Sequence, residues 1–384
     1  MLNSAQMIGE AKALVGLARF DRVDVIANFD RLVDAINSEC SVTPLGAKRL
    51  HVAGMHLLAN RLVLAKFLED HPELADHDAG PAIIVCGMPR TGSTKLQRLL
   101  AQDPSLDHMK FWEVIFPLRW PGEKYNERRL AMTTLLEREL GEPQLTAAHN
   151  LESKEPEEEL LLQKCDFTPP NIRDHLDMPI WVEEMTRRSA RDRYDVVRQL
   201  IVGHKFQEAK EGRAWVFKNA YSGEHLDVIA EIFPQAKLVF THRDPTAQLG
   251  SITSLGWKYR QLYSAPADKV ATGTDYQQYW SGFTERTLAA MDRVPDDRLM
   301  HVSYLDTLEN PMKVVRDIYD FAGLSLDDEG AQAIQDYDAR NTQHKHGRHD
   351  YSLEEFGLSR ASVELAYAGY LERFGDLVRQ RTQA

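Results

Sequence analysis

A parallel β-sheet covered by helices on both faces is the fold class that this 384-residue sequence predicts. Two observations carry the prediction. Short, almost wholly apolar runs stand at 82–86, 214–218, 237–241 and 299–303, and each gives way within a few residues to apolar positions at helical spacing. Parallel neighbours need long crossover connections, and helical crossovers cover both faces of the sheet, so its strands read as continuous apolar runs rather than alternating ones.

Taken in order, the first 75 or so residues read as helical. Ser4 stands where it would cap a run over 5–20, and apolar residues recur at helical spacing through 21–36 and 45–68. Pro72 and the stretch 76–81 break that pattern, which sets a helical N-terminal region at 1–78 and an α/β domain at 79–384. In the domain, the strand at 82–86 leads through a glycine-containing loop into a helix at 95–100. The stretch 125–210 is charged and reads as a helical insert placed to line an acceptor pocket. Within it, Glu155, Glu157, Glu158 and Glu159 open a helix where acidic residues suit the dipole, as a solvated acidic start. Further on, 223–233 is helical, His242-Arg243-Asp244-Pro245 leads from a strand into another helix, and Tyr304 precedes a helix at 311–322.

With 43% hydrophobic residues the chain buries a sizeable core, and its net charge of -12 argues against nucleic acid or an acidic membrane as the main partner. Any anion site is therefore local. Cys40, Cys86 and Cys165 are too scattered for a disulfide framework or a zinc site and fit a reducing compartment. The longest strongly apolar stretch, 81–88, is far shorter than the roughly 20 residues that cross a bilayer, and no basic then apolar leader pattern opens the chain. The expectation is a soluble, cytoplasmic protein.

The loop Gly87-Met88-Pro89-Arg90-Thr91-Gly92-Ser93-Thr94 runs from a buried strand into a helix, where backbone N–H groups at the positive helix end hold phosphate or sulfate. Gly87 and Gly92 permit close approach, Ser93 and Thr94 add hydroxyls, and Arg90 adds a fork that matches phosphate oxygens. The loop resembles the nucleotide-binding P-loop, so the fold class is a P-loop-type sheet. Ser93, however, stands where the ATPase and kinase motif requires Lys, and Lys95 comes two residues too late. A triphosphatase also needs an acidic magnesium partner, for which Asp244 is the nearest candidate. Both points weaken the kinase or NTPase reading.

Arg90-Thr91-Gly92-Ser93-Thr94 is similar instead to the 5'-phosphosulfate loop of sulfotransferases that use 3'-phosphoadenosine 5'-phosphosulfate (PAPS). Arg90 replaces the lysine usual in the cytosolic members, as in a large bacterial branch. Arg243 followed by Ser251 resembles the pair that binds the 3'-phosphate, and Tyr304-Leu305-Asp306 running into Asn310-Pro311 resembles the segment whose tyrosine holds the adenine. The family resemblance implies Arg90, Thr91, Gly92, Ser93, Thr94, Arg243, Ser251 and Tyr304 as nucleotide-binding residues. Lys345 and Arg348, in the segment His344-Lys345-His346-Gly347-Arg348-His349, would be donors of a basic loop closing over the 3'-phosphate. Its three histidines have no carboxylate or cysteine at a matching interval, so no metal site is expected.

Sulfuryl transfer needs an in-line acceptor oxygen, a base, and positive charge around the sulfuryl and the leaving phosphate. Arg90 and Lys218 supply the charge. For the base, the family offers a histidine after the strand lysine, here displaced to His225, or a glutamate after the P-loop helix, here Glu113 in Phe111-Trp112-Glu113. Glu113 ranks first, with Glu155, Glu157 and Glu158 in reserve. The expected reaction is transfer from PAPS to a hydroxyl of a small-molecule, lipid or carbohydrate acceptor, leaving 3'-phosphoadenosine 5'-phosphate. A nucleotide-binding interaction protein without catalysis is the other alternative. Phe111, Trp112, Phe116, Trp120 and Trp181 would suit an apolar acceptor if they line a pocket rather than a core.

Overall fold

The structure is a computed structural model that describes residues 1–22, 24–124, 126, 129–134, 152–265, 268–341 and 351–378. Four strands, β1 (Ala82–Gly87), β2 (Trp215–Asn219), β3 (Ala236–His242) and β4 (Leu299–Ser303), form one sheet in the order β2-β1-β3-β4, with every pair parallel. The predicted strands fall on these within a residue or two at each end.

Alternation along the strands explains the two layers of helices, because successive side chains leave a strand on opposite faces. Ile84, Cys86, Phe217, Leu238 and Phe240 enter a large buried cluster that they share with the N-terminal helices α1 (Ser4–Val15), α2 (Asp24–Glu39) and α3 (Pro44–Asp70). Ile83, Val85, Val216, Val239 and Val302 face the other way, onto α4 (Ser93–Leu100) and the amphipathic helix Pro311–Ala322. Since both faces are covered, β1, β2 and β3 carry consecutive apolar residues at 82–86, 215–217 and 238–240.

Local signals set the helix ends with small differences from the sequence reading. The first helix is capped by Asn3, whose side chain accepts from the Gln6 N–H at 2.9 Å, and not by Ser4; it stops at Gly16, in the left-handed region at φ 70°. Thr43 caps α3 with Pro44 at its first position. Within the expected insert the described helices are short (Leu160–Gln163, Ile172–His175, Pro179–Thr186) apart from Arg191–Gln207. No helix among the described residues is long and apolar enough to cross a membrane.

The order β2-β1-β3-β4 matters for function. The chain leaves β1 for one neighbour, β2, and then crosses back to pair β3 on the other side, so the switch in strand order falls at β1. Ligands of open α/β sheets bind beyond the carboxyl ends of the strands at such a point.

Candidate active site

The exit of β1 is built for an anion. Gly87 has φ 152°, and a Cβ there would lie 2.5 Å from the Thr241 hydroxyl of β3, so only glycine lets the loop leave so close to the neighbouring strand. Arg90 has φ 71°, a left-handed conformation that costs a non-glycine residue about 1–3 kcal/mol and that clusters at functional sites. Thr91 turns its hydroxyl inward, donating to the Met88 carbonyl (2.7 Å) and meeting Thr241 Oγ1 at 2.6 Å, so its side chain braces the loop. Gly92 (φ 86°) caps α4. The Leu96 N–H is the first to bond back, to the Gly92 carbonyl at 3.1 Å, so the N–H groups of Ser93, Thr94 and Lys95 precede the helical ladder at its positive end.

From β3 and β4 two further groups reach the same loop. Arg243 donates from Nη1 to the Arg90 carbonyl at 2.7 Å, and its guanidinium lies 4.5 Å from the centre of the Tyr304 ring. Tyr304 in turn packs on Gly92, where a Cβ would come within 2.6 Å of the ring. Arg90 Nε donates to Ser251 Oγ at 3.0 Å. Arg90, Arg243, Ser251 and Tyr304, predicted from separate motifs, thus meet in one place. Burial first, and then the Arg243 charge, press the Arg90 guanidinium below its usual value. Among the described residues Arg243 forms no ion pair with a carboxylate. Asp244 is spent elsewhere: its Oδ1 accepts from the Thr246 and Ala247 N–H groups (2.8 and 3.1 Å) and caps the next helix, which leaves it badly placed as a magnesium ligand. Among the described residues no three His, Cys, Asp or Glu side chains group as a metal set.

At the exit of β2 the Lys218 ammonium is buried and pairs with Glu158 Oε2 at 2.8 Å. The next residue, Glu159, clasps the strand end reciprocally: its N–H donates to the Lys218 carbonyl (3.2 Å), and its Oε2 accepts the Lys218 N–H (2.5 Å). Burial raises the Glu159 carboxyl well above its usual value. The expectation of a solvated acidic helix start is therefore not met, because Glu157 and Glu159 are 2% and 3% exposed. Phe111 N–H bonds to the Glu155 carbonyl, and Gln97 in α4 holds the Glu157 carbonyl, which fixes this acidic segment beside the loop helix. Two tyrosines lie near both Arg90 and the acidic segment. Tyr259 neighbours Arg90, Glu157 and Glu158, and Tyr221 neighbours Arg90 and Glu158 while donating its hydroxyl to the buried Asp174. Sequence reasoning missed both tyrosines and Asp174, since no spacing rule ties them to the motifs.

The other candidate residues lie as follows. Glu113 is buried in the short helix α5 (Phe111–Ile115), where its Oε2 accepts the Lys110 N–H at 2.7 Å. His225 stands 3.5 Å from Glu224 and lines a cleft with Ile172, Trp181, Tyr221, Tyr279 and Phe283. Burial, aided by Arg193 and Arg286, lowers its pKa to about 3, so it is neutral at pH 7. Lys345 and Arg348 lie outside the described residues. Phe111, Trp112, Phe116, Trp120 and Trp181 are all at most 6% exposed; Phe116 and Trp120 meet edge to face at 5.4 Å in the main cluster. These rings are buried in the core, and of the five only Trp181 also lines the cleft beside His225.

The four-stranded parallel sheet and the loop at the exit of β1 define the class: an α/β protein with a P-loop-like fold. The model of the sulfotransferase family matches residues 81–328, which span all four strands and both arginines. The chain belongs to the sulfotransferase family. It is similar to sulfotransferase STF9 from Mycobacterium avium, at 23% identity over 99% of each chain with a TM-score of 0.86. It is also similar to sulfotransferase STF1 from Mycobacterium tuberculosis H37Rv, at 26% identity over 96% of this chain and 99% of that one, with a TM-score of 0.81. No curated protein matches.

Proposed function

We propose that the chain moves a sulfuryl group from PAPS to an acceptor hydroxyl and releases 3'-phosphoadenosine 5'-phosphate. One observation carries this reading: Arg243, from the end of β3, bonds to the carbonyl of Arg90 in the loop after β1, and the neighbouring strand end carries the Lys218–Glu158 pair. A doubly phosphorylated nucleotide needs the first set, and a transfer that deprotonates a hydroxyl needs the second.

In this reading the N–H groups of 93–95, with the Ser93 and Thr94 hydroxyls, hold the 5'-phosphate. Arg243 and Ser251 hold the 3'-phosphate, Arg90 stands between the two ends, and Tyr304 supports the adenine. The acceptor oxygen forms its bond to sulfur as the bond from sulfur to the bridging oxygen breaks, and the electron pair of the broken bond leaves with the 5'-phosphate. Lys218 shifts toward the transferring group, which frees Glu158 to take the acceptor proton. Glu158 replaces Glu113 as first choice for the base because it touches Lys218, whereas Glu113 caps a helix. Residues 79–384 form the transferring domain, and the segment 125–210 supplies the acceptor side, since Glu158 and Asp174 both come from it. Small-molecule, lipid and carbohydrate alcohols remain the acceptor classes.

The test is transfer of labelled sulfate from PAPS across a panel of alcohols, phenols, sugars and amines. A product with at least one hydroxyl acceptor, lost in Glu158→Gln, is the expected result. Binding of the nucleotide with no transfer to any acceptor would leave an interaction protein instead.

A further inference from the structure

The site described so far ends at residue 304, and the family match ends at 328. Behind the two nucleotide-facing strand ends lies a hydrogen-bond chain that reaches the C-terminal helix Ala368–Val378. His242, the last residue of β3, is fully buried, and both its ring nitrogens are used. Its Nδ1 meets the Tyr370 hydroxyl at 2.9 Å, and its Nε2 meets Nδ1 of His301 on β4 at 2.9 Å. Phe374, one helical turn beyond Tyr370, packs on the His242 ring at 4.2 Å between centroids and on His301 at 4.9 Å.

Tyr370 thus meets the side chain of the residue directly before Arg243. The chain thus anchors the ends of β3 and β4, from which Arg243 and Tyr304 project into the nucleotide site.

We propose that Tyr370 is a positioning residue for the 3'-phosphate: through its oxygen, the C-terminal helix fixes the backbone from which Arg243 reaches the nucleotide. This rests on the nucleotide reading above. A guanidinium at the end of a flexible side chain discriminates by position only if its backbone is held, and Arg243 has the Arg90 carbonyl and the Tyr304 face at one end and, at the other, His242 held by Tyr370.

The experiment is isothermal titration of wild type, Tyr370→Phe and Tyr367→Phe with two probes, adenosine 3',5'-bisphosphate and adenosine 5'-monophosphate, which lacks the 3'-phosphate. Tyr370→Phe removes a single oxygen and keeps the ring; its bisphosphate affinity is expected to fall about fivefold while monophosphate affinity changes less than about twofold. Tyr367→Phe removes a nearby buried hydroxyl that touches neither His242 nor Arg243 and should leave both affinities unchanged. Equal weakening of both probes by Tyr370→Phe, or no weakening of either, overturns the proposal. Should Tyr370→Phe fail to fold, His301→Leu, which cuts the chain one bond further on, carries the same criterion. Wild type that shows no preference for the bisphosphate would remove the nucleotide reading itself, an outcome distinct from failure of Tyr370.

Discussion

The half of the site proposed for the nucleotide and the half proposed for the acceptor are held by different means. On the nucleotide side, the parts are backbone features and residues at strand exits: the loop amides, Gly87, Gly92, Arg90, Arg243 and Tyr304. On the acceptor side the parts are side chains brought together from distant segments, with Glu158 on Lys218, Glu159 clasped to the strand, and Asp174 on Tyr221 and Tyr276. The first half is a rigid cradle defined by local conformation; the second depends on the burial of charged groups against each other. Substitutions in the two halves should therefore fail in different ways: binding in one, turnover in the other.

The largest separation is expected at Glu158. Glu158→Gln should lower kcat by roughly 10²–10⁴ while leaving the affinity for adenosine 3',5'-bisphosphate within about twofold of wild type, as steady-state rates beside calorimetry would show. Glu113→Gln should keep most of the turnover and cost about 1 kcal/mol of stability through its helix cap. A reversal of these two results would return the base to Glu113. Next in size is Arg243→Ala, which removes the charge-assisted bonds proposed for the 3'-phosphate and should weaken bisphosphate binding roughly 100-fold.

Acid should expose the cost of burial. Burial holds His56 and His108 at about 4 and His175 and His225 at about 3, and it also lowers His204, His242 and His301. The unfolded chain binds protons at these groups first, so stability falls as pH drops below about 6.5, by up to about 1.4 kcal/mol per pH unit for each uncompensated histidine. Glu159, Asp166 and Asp174 have raised values and act in the opposite sense, favouring the folded chain as pH falls toward the ordinary carboxylate range. Histidines outnumber them, so the melting temperature should decline between pH 7 and 5. A flat or rising profile would mean the buried histidines carry less of the balance than their surroundings imply.

The smallest comparison sets two left-handed glycines against each other. Gly16→Ala, with nothing within 4 Å of the added Cβ, should cost about 1 kcal/mol from strain alone. Gly92→Ala meets the Tyr304 ring as well and should cost about 2–3 kcal/mol and also weaken nucleotide binding. Equal costs in thermal melts would mean that Tyr304 yields easily and does not brace the loop.

Both halves left different traces in the sequence. The strands at 82–86 and 299–303 and the loop around Gly92 were legible because contiguous residues determine them: a short apolar run is a buried strand, and a glycine before Ser and Thr is a turn into a helix. Arg243 and Ser251 were legible through a fixed spacing between a strand-exit arginine and a serine on the helix that follows. The acidic segment at 155–159 was misread as solvated because charge alone predicts exposure. Its burial depends on Lys218, which lies about 60 residues away in the chain. Phe116, Trp120 and Trp181 show the reverse case, since a stripe of aromatics has the same pattern whether it lines a core or a pocket. Asn3 displaced Ser4 as the first cap because either side chain suits that role, and the choice depends on one residue of register.

Calorimetric titration of adenosine 3',5'-bisphosphate into wild type and Arg243→Ala tests the centre of this account most directly. Saturable binding by wild type at one site per chain, weakened roughly 100-fold by the substitution, is the predicted result. Undiminished binding to Arg243→Ala, or heat-silent wild type at millimolar nucleotide, would contradict it.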